Sequence, residues 1–286
     1  MLQQDAEIMQ TKVEAFDRMI ANYINTYDHN RVARKILSTR NVGANIATDV
    51  VTTYEETGAE AVIAARGTIP SNSGSTPNEK KHTLYQILSG FQIHNKDMQE
   101  DSKLHARNVD ICMRKLHKKE DDFAINGSST LNVNGIADAP TSANTITTST
   151  NNGAWAATES NDIYQDFVIA KGMLDSDLSP AGVLCNPTDA NYLLGMDSER
   201  KVYWESIRGL FRAREFDDFV FQSNRVTAGN VYMFAKGPEV AEIVIAENAK
   251  TIIYPMMPGE VHPVEIKEWV TIEIHNPDGF VKIATG

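Results

Sequence analysis

Apolar positions along this chain recur in two rhythms, one with the period of a helix and one with the period of a strand. The longest helical pattern runs over residues 95–127, NKDMQEDSKLHARNVDICMRKLHKKEDDFAING. Leu104, Val109, Cys112, Leu116 and Phe123 share one stripe there, which predicts a single buried helix face. Acids Asp97, Glu100 and Asp101 crowd its start, where the helix dipole favours them, and Asn126-Gly127 supplies a left-handed stop. A helix of this length spans about 45 Å, so it predicts a strut across a flat domain.

A second helical pattern opens the chain. Met9, Val13, Phe16, Ile20 and Tyr23 form a narrow seam over residues 3–27, opposite an acidic face of Asp5, Glu7, Glu14 and Asp17. Such a seam packs either on its own domain or, as an arm, on a neighbouring subunit. Helical spacing returns from Asn161, with Ile163, Phe167, Ala170 and Leu174 on one side. Further short helices are expected at TDANYLLG, with Thr188 as N-cap, and within SERKVYWESIRGLFRAREF.

Strand rhythm fills the remainder. IATDVVTTY and the return segment ETGAEAVIAARGTIP predict a hairpin over 46–70 with a turn at Thr57-Gly58, closed by Pro70. SNSGSTPNEKK, with Pro77, Lys80 and Lys81, has no apolar anchor and is expected as an exposed loop. Residues 82–95 lead as a strand into the long helix. Short strands follow at AGVLC, FDDFVFQSN, GNVYMFAKG, AEIVIAE and TIIYPMMPGEVHP. VEIKEWVTIEIHNPDGFVKIATG reads as two strands around an Asn276-Pro277-Asp278-Gly279 turn.

The fold class is therefore α+β. Composition narrows the function classes. The 286 residues carry 27 Lys and Arg against 38 Asp and Glu, a net charge of −11, which opposes a general nucleic-acid binder. No apolar run reaches membrane-spanning length, and the start lacks a secretory signal pattern. Cys112 and Cys185 are far apart and lie in apolar patterns, so they read as small buried hydrophobes. Residues 30–40 hold a local basic cluster of Arg31, Arg34, Lys35 and Arg40. It is either an internal salt-bridge set or solvated face, or a phosphate-facing patch.

No catalytic constellation is found: GxSxG, GxxxxGK[ST], HExxH and GxGxxG are all lacking. His105 and His117 are too far apart on one helix to hold one ion. The neighbours Asp121-Asp122 and Asp217-Asp218 point in different directions rather than facing each other as an acid–base pair. No catalytic residue, cofactor or metal is expected.

The order of elements is similar to that of tailed-phage major capsid proteins with the Hong Kong 97-type fold. Carriers of the resemblance are YEETGAEAVIAARGTIP at 54–70, YQILSGFQIHNKDMQED at 85–101, NVDICMRKLHKKEDDFAINGSSTLNVNGIAD at 108–138 and VTIEIHNPDGFVKI at 270–283. It implies an N-terminal arm at 1–44, an extended hairpin or E-loop at 45–84, and a peripheral domain with a spine helix at 85–160. An axial domain at 161–257 and return strands of the peripheral domain at 258–286 follow. It further implies Met9, Val13, Phe16, Ile20 and Tyr23 as an intersubunit arm. The E-loop residues are Gly58, Pro70, Pro77, Lys80 and Lys81, and the spine-helix core is Leu104, Val109, Cys112, Leu116 and Phe123. Arg31, Arg34 and Lys35 are candidates for an interior basic patch.

The implied function is structural and non-enzymatic. Copies would assemble through pentamers and hexamers into an icosahedral shell around a double-stranded DNA genome contacted only weakly. The implied location is the virion capsid, assembled in the host cytoplasm without a membrane. Portal, scaffold or decoration proteins are the further partners implied. Encapsulins share fold and size, so a nanocompartment enclosing protein cargo is the alternative; an oligomeric enzyme without a recognisable motif is the third class.

Overall fold

The computed structural model describes residues 2–27, 31–43, 48–57, 74–98, 103–147, 155, 160–195, 202–258 and 260–285. Helix α1 (Leu2–Tyr27) opens the chain, followed by α2 (Val32–Ile36) and strand β1 (Ser38–Asn41). Next come β2 (Thr48–Thr57), β3 (Gly74–Thr83) and β4 (Tyr85–His94). A short α3 (Asn95–Met98) precedes the spine helix α4 (Lys103–Asn126), then β5 (Thr145–Thr147) and α5 (Ser160–Met173). The order continues as β6 (Pro180–Cys185), α6 (Pro187–Leu193), α7 (Tyr203–Phe211), β7 (Val220–Gln222) and β8 (Asn230–Ala235). Strands β9 (Ala241–Ile253), β10 (Val261–Ile274) and β11 (Phe280–Ala284) complete it.

Three sheets result. The first has the order β1-β9-β10-β4, with β1 parallel to β9 and the rest antiparallel. Strand β10 alternates strictly along most of its length, so Val264, Ile266, Glu268, Val270 and Ile272 face inward, under α1 and α4. The second sheet has the order β5-β11-β8-β6-β7. It is buried on both faces, which is why NVYMFA reads as a continuous apolar run. Val231 and Met233 pack with Phe167, Leu193 and Phe211 of α5–α7, while Tyr232 and Phe234 join the core beneath the spine helix. The third sheet is the ribbon β2-β3 alone.

Several expectations are corrected. The hairpin exists, but its return strand is GSTPNEKKHT, the segment read as a loop: Val51 pairs with Lys80, Val50 with Lys81 and Tyr54 with Pro77. A two-stranded ribbon is held by backbone bonds and tolerates a polar strand, and an edge tolerates proline. Gly58 and Pro70 lie outside the described residues. Asn186, not Thr188, caps α6: its side chain accepts the Thr188 N–H at 3.0 Å, and Pro187 takes the first helical position. The closing two strands do stand on either side of the predicted Asn276-Pro277-Asp278-Gly279 turn, but they do not pair with each other. Asn276–Gly279 carries the chain from the first sheet into the second, where β11 pairs with β8 and β5.

Sheet membership does not follow chain order. β9 was placed at 161–257 with the axial part, yet it lies between β1 and β10 in the first sheet. β11 was placed with the peripheral strands, and β5 within 85–160, yet both complete the second sheet.

Candidate functional site

The spine helix is the element on which the others converge. Val109, Cys112, Leu116 and Phe123 are all buried on it, joined by Met113, Ala124 and Ile125. Leu104 stands in its first turn, with its side chain outside the described residues. Gly127 ends the helix with φ +63, and a Cβ there would lie 2.3 Å from the Val133 carbonyl. This left-handed stop is the one that Asn126-Gly127 predicts. Asp121 and Asp122 diverge as expected: Asp121 turns to α2, and Asp122 meets Lys119 and Asn126.

Helix α1 lies along the spine of its own chain. Phe16 and Ile20 are 1% and 2% exposed, Tyr23 is buried and Val13 half-buried. Phe16 meets Phe91 of β4 and His105 of α4 edge-on, with ring centres 6.0 and 5.9 Å apart, and Tyr23 sits 5.2 Å from His117. The Asp17 carboxylate accepts the Thr251 N–H of β9 at 3.0 Å. The seam expected to serve a neighbouring subunit is thus spent within the chain. The seam packs between α4 and β9 of the first sheet. Met9 lies on α1, its side chain outside the described residues.

The basic cluster is likewise internal. Arg31 is 1% exposed and donates to Glu120 at 2.8 Å and to the His117 ring. Arg34 donates from Nε to the other Glu120 oxygen at 2.6 Å. Asp121 accepts the N–H groups of Ala33 and Val32, which fixes the start of α2. Of the three residues expected to line an interior basic patch, only Lys35 is exposed. Two guanidiniums buried against one carboxylate offer little positive charge to a cargo.

Electrostatics at this junction are strongly perturbed. Burial, reinforced by Arg31 and Arg34, pushes His117 down to about 3, so it is a neutral acceptor. Burial raises Asp121 to about 6 despite its backbone donors. Glu268 of β10 is 0% exposed and lies 3.9 Å from Arg31 and 3.7 Å from Arg34. Burial first, then repulsion from Glu120, raises it well above the carboxylate range.

A second cluster, which sequence reasoning missed, ties β1 to the two long strands. Arg40 donates to Glu242 at 2.8 Å and to Glu273 at 3.0 Å, with His275 at 3.6 and 3.8 Å from the same carboxylates. These three acid and imidazole groups could converge on a cation, but the Arg40 guanidinium already occupies that role. The signal was available: Glu242 and Glu273 each interrupt an apolar run, AEIVIA and VTIEI, and an acid in such a run predicts a buried carboxylate needing a cation. Both cysteines are free and buried, and burial holds the Cys185 thiol near 12, where it is inert. Among the described residues no helix is long and apolar enough to cross a membrane.

No protein-family model and no curated protein sequence matches this chain. Solved structures do. A virus-like particle from Pyrococcus furiosus matches with a TM-score of 0.67 at 15% identity, over 95% of this chain and 100% of that one. The capsid of Myoviridae Phage XM1 matches at 0.63 and 10% identity, over 86% and 88%. The SrpI encapsulin of Synechococcus elongatus PCC 7942 matches at 0.59 and 10%, over 89% and 87%. What the chain shares with these structures is the architecture: a ribbon, a spine helix and two interleaved sheets. In particular, the chain has the Hong Kong 97-type fold common to phage capsids and encapsulins.

Proposed function

We propose that this chain is a structural shell protein whose copies associate, through hexamers and pentamers, into a closed icosahedral capsid around double-stranded DNA. The observation that carries the reading is the fold likeness to a virus-like particle across 95% of the chain. The ribbon β2-β3 supports it. Among the described residues it pairs with neither larger sheet, and ribbon edges left so are suited to a neighbouring copy. Rings built from such heterologous contacts close when their rotation closes, and many modest contacts then hold the shell. The net charge of −11 suits a wall that confines DNA without gripping it. In this reading the protein catalyses nothing. It resides in the virion capsid after assembly in a host cytoplasm, with portal, scaffold or decoration proteins as further partners.

The likeness to an encapsulin favours one alternative, a nanocompartment around protein cargo. Electron microscopy of purified particles, with nuclease-protected DNA and co-purifying protein assayed in parallel, separates the two. Particles with protected DNA are expected. Particles holding a protein cargo and no DNA move the reading to a nanocompartment, and a strictly monomeric protein in light scattering overturns both.

A further inference from the structure

Among the described residues around the spine helix, one buried carboxyl, that of Glu268, lies near two guanidiniums yet makes no hydrogen bond to either. Glu120 accepts from Arg31 at 2.8 Å and from Arg34 at 2.6 Å, so it holds the shortest contacts with both guanidiniums. Asp121 is held by two backbone N–H groups of α2. Neither oxygen of the fully buried Glu268 meets a hydrogen-bond donor, and its guanidinium neighbours stand at 3.7 and 3.9 Å. On β4 it faces Ile87, which is apolar. On β9 the nearest charges, Lys250 and Glu247, register with Lys267 and Trp269 and close on each other. His117 faces the junction from α4 as a neutral acceptor of Arg31. With Glu268 neutral, the two arginines balance Glu120 and Asp121. With Glu268 ionised, a buried group of three carboxylates faces two cations.

We propose that Glu268 carries a proton in the folded protein, and that its loss to solvent loosens residues 31–36 from the spine helix, making this junction a proton-released latch. The inference is independent of the shell reading, because it concerns the folding of one chain. Burial and the Glu120 charge raise Glu268 from 4.5 to about 8, which agrees with the charge balance. The sign follows from linkage. A carboxyl whose folded pKa is raised favours the closed form fully below its unfolded value, and this advantage is lost as pH rises through the folded value. Opening of residues 31–36 should therefore grow about tenfold per pH unit across that window and level off above it.

Hydrogen exchange of the Val32–Ile36 amides, corrected for intrinsic rates and measured from about pH 5 to 9, reads this opening. Wild type should show the tenfold slope, and Glu268→Gln, which keeps shape without titrating, should be flat above about pH 7. An unchanged slope in Glu268→Gln overturns the proposal. Infrared spectroscopy of the wild type decides independently should that variant not fold. A protonated-carboxyl band present at neutral pH and lost in alkali supports the latch; its absence at neutral pH refutes it.

Discussion

Two guanidiniums converge on the carboxylate of Glu120, so removing that carboxylate strands both of them in a buried place. Glu120→Ala should destabilise the subunit by about 3–5 kcal/mol in denaturant unfolding, the cost of breaking a buried pair from one side. Asp121 adds a pH dependence of its own. Its pKa rises from 3.8 to about 6 on folding, chiefly by burial, so its contribution is full below the unfolded value and lost as pH climbs to about 6. Asp121→Asn should flatten the melting curve of the protein over that interval, and an unaltered pH profile would assign the effect elsewhere. At Gly127 a side chain would meet backbone atoms of Val133, Asn134 and Gly135 within 3 Å. Gly127→Ala should cost ~1–3 kcal/mol, as a strained left-handed position does. That glycine was legible in the sequence, because Asn-Gly after a helical stripe has one obvious use. Arg31 was not. A surface patch and a buried ion pair have the same composition, and only the in-phase acid of β10, Glu268, distinguishes them.

At the scale of elements, α1 and the spine helix were legible as amphipathic periods, and most strands as alternations. What the seam of α1 packs against was not, since a stripe carries no address. Its contacts with Phe91, His105 and His117 make the arm part of its own fold. Phe16→Ala should therefore lower the unfolding free energy of the isolated subunit by about 3–5 kcal/mol. A subunit melting like wild type would return the seam to an intermolecular role. The ribbon is the opposite case. Its strand β3 was hidden from sequence because KK, PN and GST carry no apolar alternation to impose a period. Removing residues 48–83 and joining the ends with a short flexible linker should leave both larger sheets folded by circular dichroism. The same deletion should abolish particles in electron microscopy, and normal particle yield would remove the ribbon from the assembly account.

For the whole molecule, the α+β class and the order of elements were readable, whereas the assignment of strands to sheets was not. Pairing joins residues far apart in sequence, as in β1 with β9, where Ser38 lies against Glu242. No local pattern encodes such a partnership. The same interleaving has a consequence for synthesis. Strand β5, at 145–147, finds its partner only in β11, at 280–284, and β1 waits for β9. A chain emerging from the ribosome therefore cannot close the sheet that β5 completes until residue 284 is out. Late closure of long-range pairings also makes folding slow. Nascent copies translated side by side on one message would thus lack their finished second sheet until β11 has emerged. The topology acts as a timer that holds back the finished surface of the subunit until its last described strand is made.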